Sequence, residues 1–238
     1  MQPCPRLGHA AAWSLATTTG YPDLDVKLRH ETASLHRAFG VSSSLFVFND
    51  FNGPNAYSST HPQPTGPSGT IFLGKQLLDL AHVTPDMGET AVVLVLAHEW
   101  AHVLQVVAGF PSHLSGKHRE LHADLLAGWY LGRRSFDHRL DLLGVAHRTY
   151  RQGRYPYIDI VSHGAPETRT AAMLFGYRHA RYPLEQVYGG GLRFVASLTR
   201  TAGIAGPRAP MSASRRVRSR IGLLSMTRAA NSRGGFLR

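Results

Sequence analysis

Apolar residues Leu24, Leu28, Leu35 and Phe39 are spaced along residues 23–39, and the pattern stops at Gly40. This predicts an amphipathic helix with a glycine stop. Residues 44–49 and 70–73 are short runs rich in β-branched, aromatic and leucine side chains and predict strands. Residues 52–57 and 60–69 are crowded with Gly, Pro, Ser and Thr, which predicts a turn and a long loop between the strands. Residues 77–80 predict a short helix. Residues 89–108 are apolar on nearly all sides, the mark of a buried helix. Thr84 or Asp86 is its expected cap, Pro85 suits its first turn, and Gly109 followed by Pro111 supplies the stop. Val92, Val93 and Val95 also suit a strand, but twenty residues exceed any ordinary strand. Residues 120–130 predict a second helix.

The buried helix carries His98, Glu99 and His102. Positions four apart share a helix face, so His98 and His102 can grip one ion. Glu99 lies about 100° round the helix, in reach of a water on that ion without ligating it. Three titratable groups in an apolar helix are costly unless a metal compensates them. The chain holds 14 His, which raises the chance of an accidental match, so the reading depends on a third ligand.

Glu120 and Asp124 lie at i and i+4 on the next helix. Ala123, Ala127 and Gly128 flank that face and allow another helix to come close. A small-residue face with two carboxylates, opposite a helix with two His, is what a zinc site needs. Glu120 is the preferred third ligand. His118 and His122, a rival i, i+4 pair on the other side of the helix, are the alternatives.

Residues 96–105 (Leu-Ala-His-Glu-Trp-Ala-His-Val-Leu-Gln) and 120–128 (Glu-Leu-His-Ala-Asp-Leu-Leu-Ala-Gly) together resemble the neutral zinc metallopeptidases of the minigluzincin type. Residues 162–169, Ser-His-Gly-Ala-Pro-Glu-Thr-Arg, with Phe-Gly-Tyr at 175–177, look like that family's His-Gly-x-x-Glu-x-Arg helix. The likeness covers roughly residues 45–180. It implies an α+β fold of the zincin kind, with a small mixed or antiparallel sheet packed on the active-site helix and the Glu-bearing helix after it. It also implies His98, His102 and Glu120 as zinc ligands and Asp124 as their support. His163 and Tyr177 become candidates for a second oxyanion donor, and Arg169 for bracing Asp124 or a helix end, or for touching substrate. In such proteins the segment similar to Pro54-Asn55-Ala56 lies on or beside the edge strand near the zinc; a plain hairpin loop is the alternative here. Ala101 stands where Gly is common in the family, a small departure.

The 238 residues suffice for a sizeable core, and 43% hydrophobic with 17% charged content is ordinary for a globular domain. One cysteine, Cys4, excludes an intramolecular disulfide. No window is read as a membrane span, the run 91–97 being too short. Residues 10–16 form a weak signal-like stretch with no clean cleavage site, so a cytoplasmic location is expected. The net charge of +11 is uneven: no acidic residue follows Glu185, while ten Arg lie between Leu192 and Arg238. The chain therefore divides into a metallopeptidase domain, 1–190, and an Arg-rich tail, 191–238, partly disordered with a short helix near 217–226. The tail's charge suits weak contact with nucleic acid or an anionic surface.

Two His and one Glu leave a fourth position for water, the open coordination of catalytic zinc. Glu99 as general base completes a peptidase acting on a peptide or protein substrate. Two other classes share the motif: a regulatory protease acting on a repressor-type partner, and a catalytically silent metal-binding protein. An intact Glu99 argues against the silent class.

Overall fold

A computed structural model describes residues 15–50, 55–60, 67–83, 88–134 and 165–200. The expected cap residues 84–86, His163, most of the signal-like stretch and the tail beyond 200 lie outside them.

Helix α1 (Pro22–Phe39) follows the predicted span, with Pro22 at its start and Asp23 and Asp25 in the first turn. Both features suit a helix N-terminus. The Gly40 N–H bonds the His36 carbonyl at 3.0 Å, closing the last turn. Leu28, Leu35 and Phe39 are buried, as their spacing requires. Glu31 is buried with them, and accepts hydrogen bonds from the Tyr130 hydroxyl at 2.5 Å and from Arg134 Nε at 3.1 Å.

Strands β1 (Ser43–Phe48), β2 (Ala56–Ser59) and β3 (Gly69–Gly74) form one mixed sheet in the order β1-β3-β2. β1 runs parallel to β3 with Leu45 beside Ile71; β2 runs antiparallel to β3 with Tyr57 beside Phe72. β2 takes the last two residues of the stretch read as a turn and the two that separate it from the loop. Four residues, two of them Ser, show too little alternation to signal a strand; pairing with β3 makes it one. The Pro54-Asn55-Ala56 expectation is met to this extent: Ala56 opens the edge strand β2, which contacts the next long helix but one.

That helix follows α2 (Lys75–Val83), whose first turn is held by Asp50: its carboxylate accepts the Gln76 N–H at 2.7 Å. Helix α3 (Gly88–Ala108) lies at the centre, touching α1, α2, β2 and β3 and the following helix. Trp100 is wholly buried, its indole N–H bonded to the Val41 carbonyl at 3.0 Å. By length and composition the stretch Thr90–Ala108 could cross a membrane, which corrects the sequence expectation that no window comes close. Most of it is buried inside the fold, and a core helix passes the same test.

Helix α4 (Gly116–Arg134) is buried continuously from Leu121 to Gly132. Helix α5 (Pro166–Arg178) runs beside it in the same direction: Asp124 meets Arg169, Gly128 meets Met173, and Gly132 meets Tyr177. A Cβ on Gly128 would lie 2.0 Å from the Met173 carbonyl oxygen, so no side chain fits there without parting the helices. The small residue at 128 thus serves contact with α5, not with the His-bearing helix as expected.

Helix α6 (Leu184–Arg200) packs against α4 and α5. It also moves a boundary. Residues 191–200, read as the start of the basic tail, continue this helix, and Leu192 and Val195 are buried. Arg193 and Arg200 drew that stretch into the tail by charge, although its apolar positions keep helical period and pack inward. The described residues are thus a mixed α-helical and β-sheet fold, with α3 and α4 packed together beside the small sheet.

Candidate metal centre

α3 and α4 bring three donor atoms to one point. His98 Nε2 and His102 Nε2 are 3.1 Å apart, and Glu120 Oε2 lies 3.3 Å from the first and 3.5 Å from the second. Bonds of about 2.05 Å in a tetrahedral shell require ligand atoms about 3.3 Å apart. The triangle has that size, so the three residues fit a small metal ion. The side chains keep 11%, 17% and 19% of their surface exposed, so the cluster reaches solvent rather than being sealed.

The hydrogen bonds behind the imidazoles fix which nitrogen faces inward. His98 Nδ1 lies 2.9 Å from Asp124 Oδ1. Asp124 also accepts Arg169 Nε at 2.7 Å and Nη2 at 2.8 Å, a bidentate pair. An ionised carboxylate only accepts, so His98 carries its proton on Nδ1 and turns the Nε2 lone pair toward the centre. Burial disfavours the Asp124 charge, but Arg169 and His98 outweigh it and hold the carboxyl down at about 2. His102 Nδ1 lies 2.9 Å from Gln105 Oε1. Two inward lone pairs and a carboxylate oxygen within 3.5 Å repel one another unless a cation sits among them.

The titration directions agree. Burial lowers the proton affinity of His98, but Asp124 and Glu120 reverse this and raise it to about 10. His102 is raised as well: burial opposes, and the Glu120 carboxylate prevails. Glu120 is held well below the usual carboxylate range, because the two imidazoles beside it overcome the cost of burial. The cluster attracts one positive charge, and a proton competes with a metal for it.

Glu99 is buried, 8% exposed, and its charge acts on His102, yet it is not one of the three converging residues. That is the placement expected of a base rather than a ligand. The rival ligands are elsewhere. His118 bonds Ser115 Oγ at 2.7 Å. His122 is wholly buried, with Nε2 3.0 Å from the Tyr188 carbonyl and Nδ1 3.2 Å from Gln105 Nε2. Burial, with the His102 charge adding to it, keeps His122 neutral with a value near 4, although the Tyr188 carbonyl pulls the other way.

Of the three alternatives for Arg169, bracing Asp124 is the one found. Tyr177 is not brought to the cluster. It packs at Gly132, twelve positions along α4 from Glu120, or about 18 Å at the helical rise. The parallel run of α4 and α5 carries it away from the centre, which removes it as an oxyanion donor. Gln105, by contrast, was missed. A polar residue three positions after His102 in an apolar helix was the available signal.

Comparison of the chain with protein-family models, with curated proteins and with solved structures found no match.

Proposed function

We propose that the chain is a zinc-dependent metallopeptidase of the zincin kind, hydrolysing peptide bonds in a peptide or protein substrate. The observation that carries this reading is the donor triangle with Glu99 next to it on α3. Two imidazole nitrogens and one carboxylate oxygen are the ligand set of open, catalytic zinc sites, and closed structural sites use four protein ligands. The element order supports it too, since the edge strand β2 contacts α3 and the Glu-bearing α4 packs on the same helix.

His98, His102 and Glu120 would hold the ion. When bound, zinc makes water nucleophilic near neutral pH and polarises a carbonyl. Glu99 takes the proton from the attacking water and delivers it to the leaving amine nitrogen. Asp124, backed by Arg169, keeps His98 in its ligating tautomer.

Metal analysis of purified wild type, Glu120→Ala and Glu99→Gln, with peptide-library cleavage on the same samples, tests the reading. Wild type should carry zinc and cleave; Glu120→Ala should lose zinc; Glu99→Gln should keep zinc and lose cleavage. Full zinc content in Glu120→Ala would sink the ligand set. Undiminished cleavage by Glu99→Gln would sink the assignment of the base.

A further inference from the structure

The His102 side of the centre is wired differently from the His98 side. Gln105 is wholly buried and sits between His102 and two other groups. Its Oε1 is 2.9 Å from His102 Nδ1; its Nε2 is 2.8 Å from the Arg119 carbonyl and 3.2 Å from His122 Nδ1. His122 is wholly buried too, its Nε2 3.0 Å from the Tyr188 carbonyl.

Two backbone carbonyls decide every proton in this chain of contacts. A carbonyl oxygen only accepts. The Arg119 carbonyl therefore faces the NH₂ of Gln105, which leaves Oε1 facing His102. Oε1 cannot donate, so the His102 proton is on Nδ1 and its lone pair is on Nε2. The Tyr188 carbonyl requires the His122 proton on Nε2, which leaves Nδ1 to accept the second Gln105 N–H. Both amide hydrogens and the amide oxygen are used, and no orientation of Gln105 other than this one satisfies both carbonyls. α6 comes near enough to present the Tyr188 carbonyl because residue 191 is glycine. A Cβ there would lie 3.0–3.1 Å from the His122 ring.

We infer that Gln105 is a positioning residue for the metal centre, locking His102 as an Nε2 ligand through a neutral hydrogen-bond chain anchored on α4 and α6, with His122 as its middle link. This rests on the metal-binding part of the proposed function and not on peptidase activity. Partners of this kind behind a ligating imidazole are typically worth about 10–100-fold in metal affinity.

The test uses Co²⁺ titration of the purified full chain by visible absorption, with ¹⁵N-resolved NMR of the Zn²⁺-loaded protein to locate the imidazole protons. Gln105→Met keeps the volume but supplies neither the acceptor nor the donors. It should weaken Co²⁺ binding about 10–100-fold and lose the slowly exchanging His102 Nδ1 proton, while the His98 Nδ1 proton on Asp124 persists. Gln105→Glu, protonated on the oxygen facing Arg119, restores both the acceptor and a donor and should recover most of the affinity; a role in packing alone predicts no such difference between Met and Glu. His122→Leu should weaken binding less than Gln105→Met does, and serves if the latter misfolds. Equal affinity in wild type, Gln105→Met and His122→Leu overturns the inference while leaving the donor triangle intact. Failure of wild type to bind Co²⁺ or Zn²⁺ overturns the metal reading itself, and the inference with it.

Discussion

The two imidazoles of the centre are held by opposite means. His98 rests on charge: Asp124, fully buried, is neutralised by a bidentate Arg169 from α5. His102 rests on a neutral amide and a neutral imidazole that end on backbone carbonyls of α4 and α6. A carboxylate behind a ligand makes it more basic and a better donor, whereas an amide sets the tautomer and direction while adding no charge. The Asp124 charge is cancelled by Arg169, so Glu120 alone gives the donor set its net charge of −1. A second carboxylate behind His102 would add uncompensated negative charge in a buried place, and the amide avoids that cost. The charged half should therefore be the more vulnerable to losing one partner.

Arg169→Met is the most severe way to test this contrast. It leaves the buried Asp124 carboxylate with His98 as its remaining cationic partner, and breaking a buried pair costs about 3–5 kcal/mol. Gln105→Met leaves only neutral groups unsatisfied, at about 1–3 kcal/mol. Denaturant unfolding of the two metal-free variants should rank them in that order, and equal losses would erase the distinction between charged and neutral support.

Asp124→Asn also breaks the buried pair, leaving the Arg169 guanidinium without its counter-charge, so its readout is metal affinity rather than stability. The amide oxygen can still accept the His98 Nδ1 proton, but the basicity conferred by the carboxylate is gone. Metal affinity by chelator competition should fall by about 10–100-fold. An unchanged affinity would mean that the charge on the His98 side serves folding alone.

pH offers a smaller and graded probe. In the metal-free protein His98 is raised from 6.5 to about 10, so it contributes stability that is complete below about pH 6.5 and is lost as pH rises toward 10. Glu120 and Asp124 are lowered from 4.5 and 3.8, so their contribution is present above those values and disappears as pH falls. Metal-free protein should thus be most stable between about pH 4.5 and 6.5 as far as these groups act. Saturating zinc takes the place of the proton and should abolish the alkaline decline; a decline that persists unchanged with zinc would show that it originates elsewhere.

The smallest expected effect belongs to Tyr177→Phe. Its ring packs at Gly132, away from both halves of the centre. Stability should move by less than about 0.5 kcal/mol, and Co²⁺ affinity should not change. A clear loss of metal affinity would restore Tyr177 to the site.

The long elements were legible because their apolar positions repeat over several turns: α1, α3 and α4 all lie where the pattern put them. β2 was not, because four residues that pair with β3 carry no periodic signal of their own. α6 was hidden by its arginines, since composition outweighed a helical pattern that continues to Arg200. His122 shows the limit for a site residue. Its type and its spacing from His118 suit a ligand, and only the Tyr188 carbonyl, 66 positions later, shows that its nitrogens are already engaged.

By itself the sequence determined which residues share a helix face: His98 with His102 on a buried helix, and Glu120 with Asp124 on the next, with His118 and His122 still rivals for the third place. Spacing along one helix is a local property, and local geometry places those side chains on shared faces. The tertiary structure decided everything that joins separate helices: that Glu120 closes the triangle, that Arg169 neutralises Asp124, that Tyr177 is carried away, and that Gln105 and His122 align His102. Those outcomes depend on how α4, α5 and α6 pack, on a close approach at Gly128 that leaves no room for a side chain, and on a tight one at Gly191. Spacing along the chain does not encode distances across it.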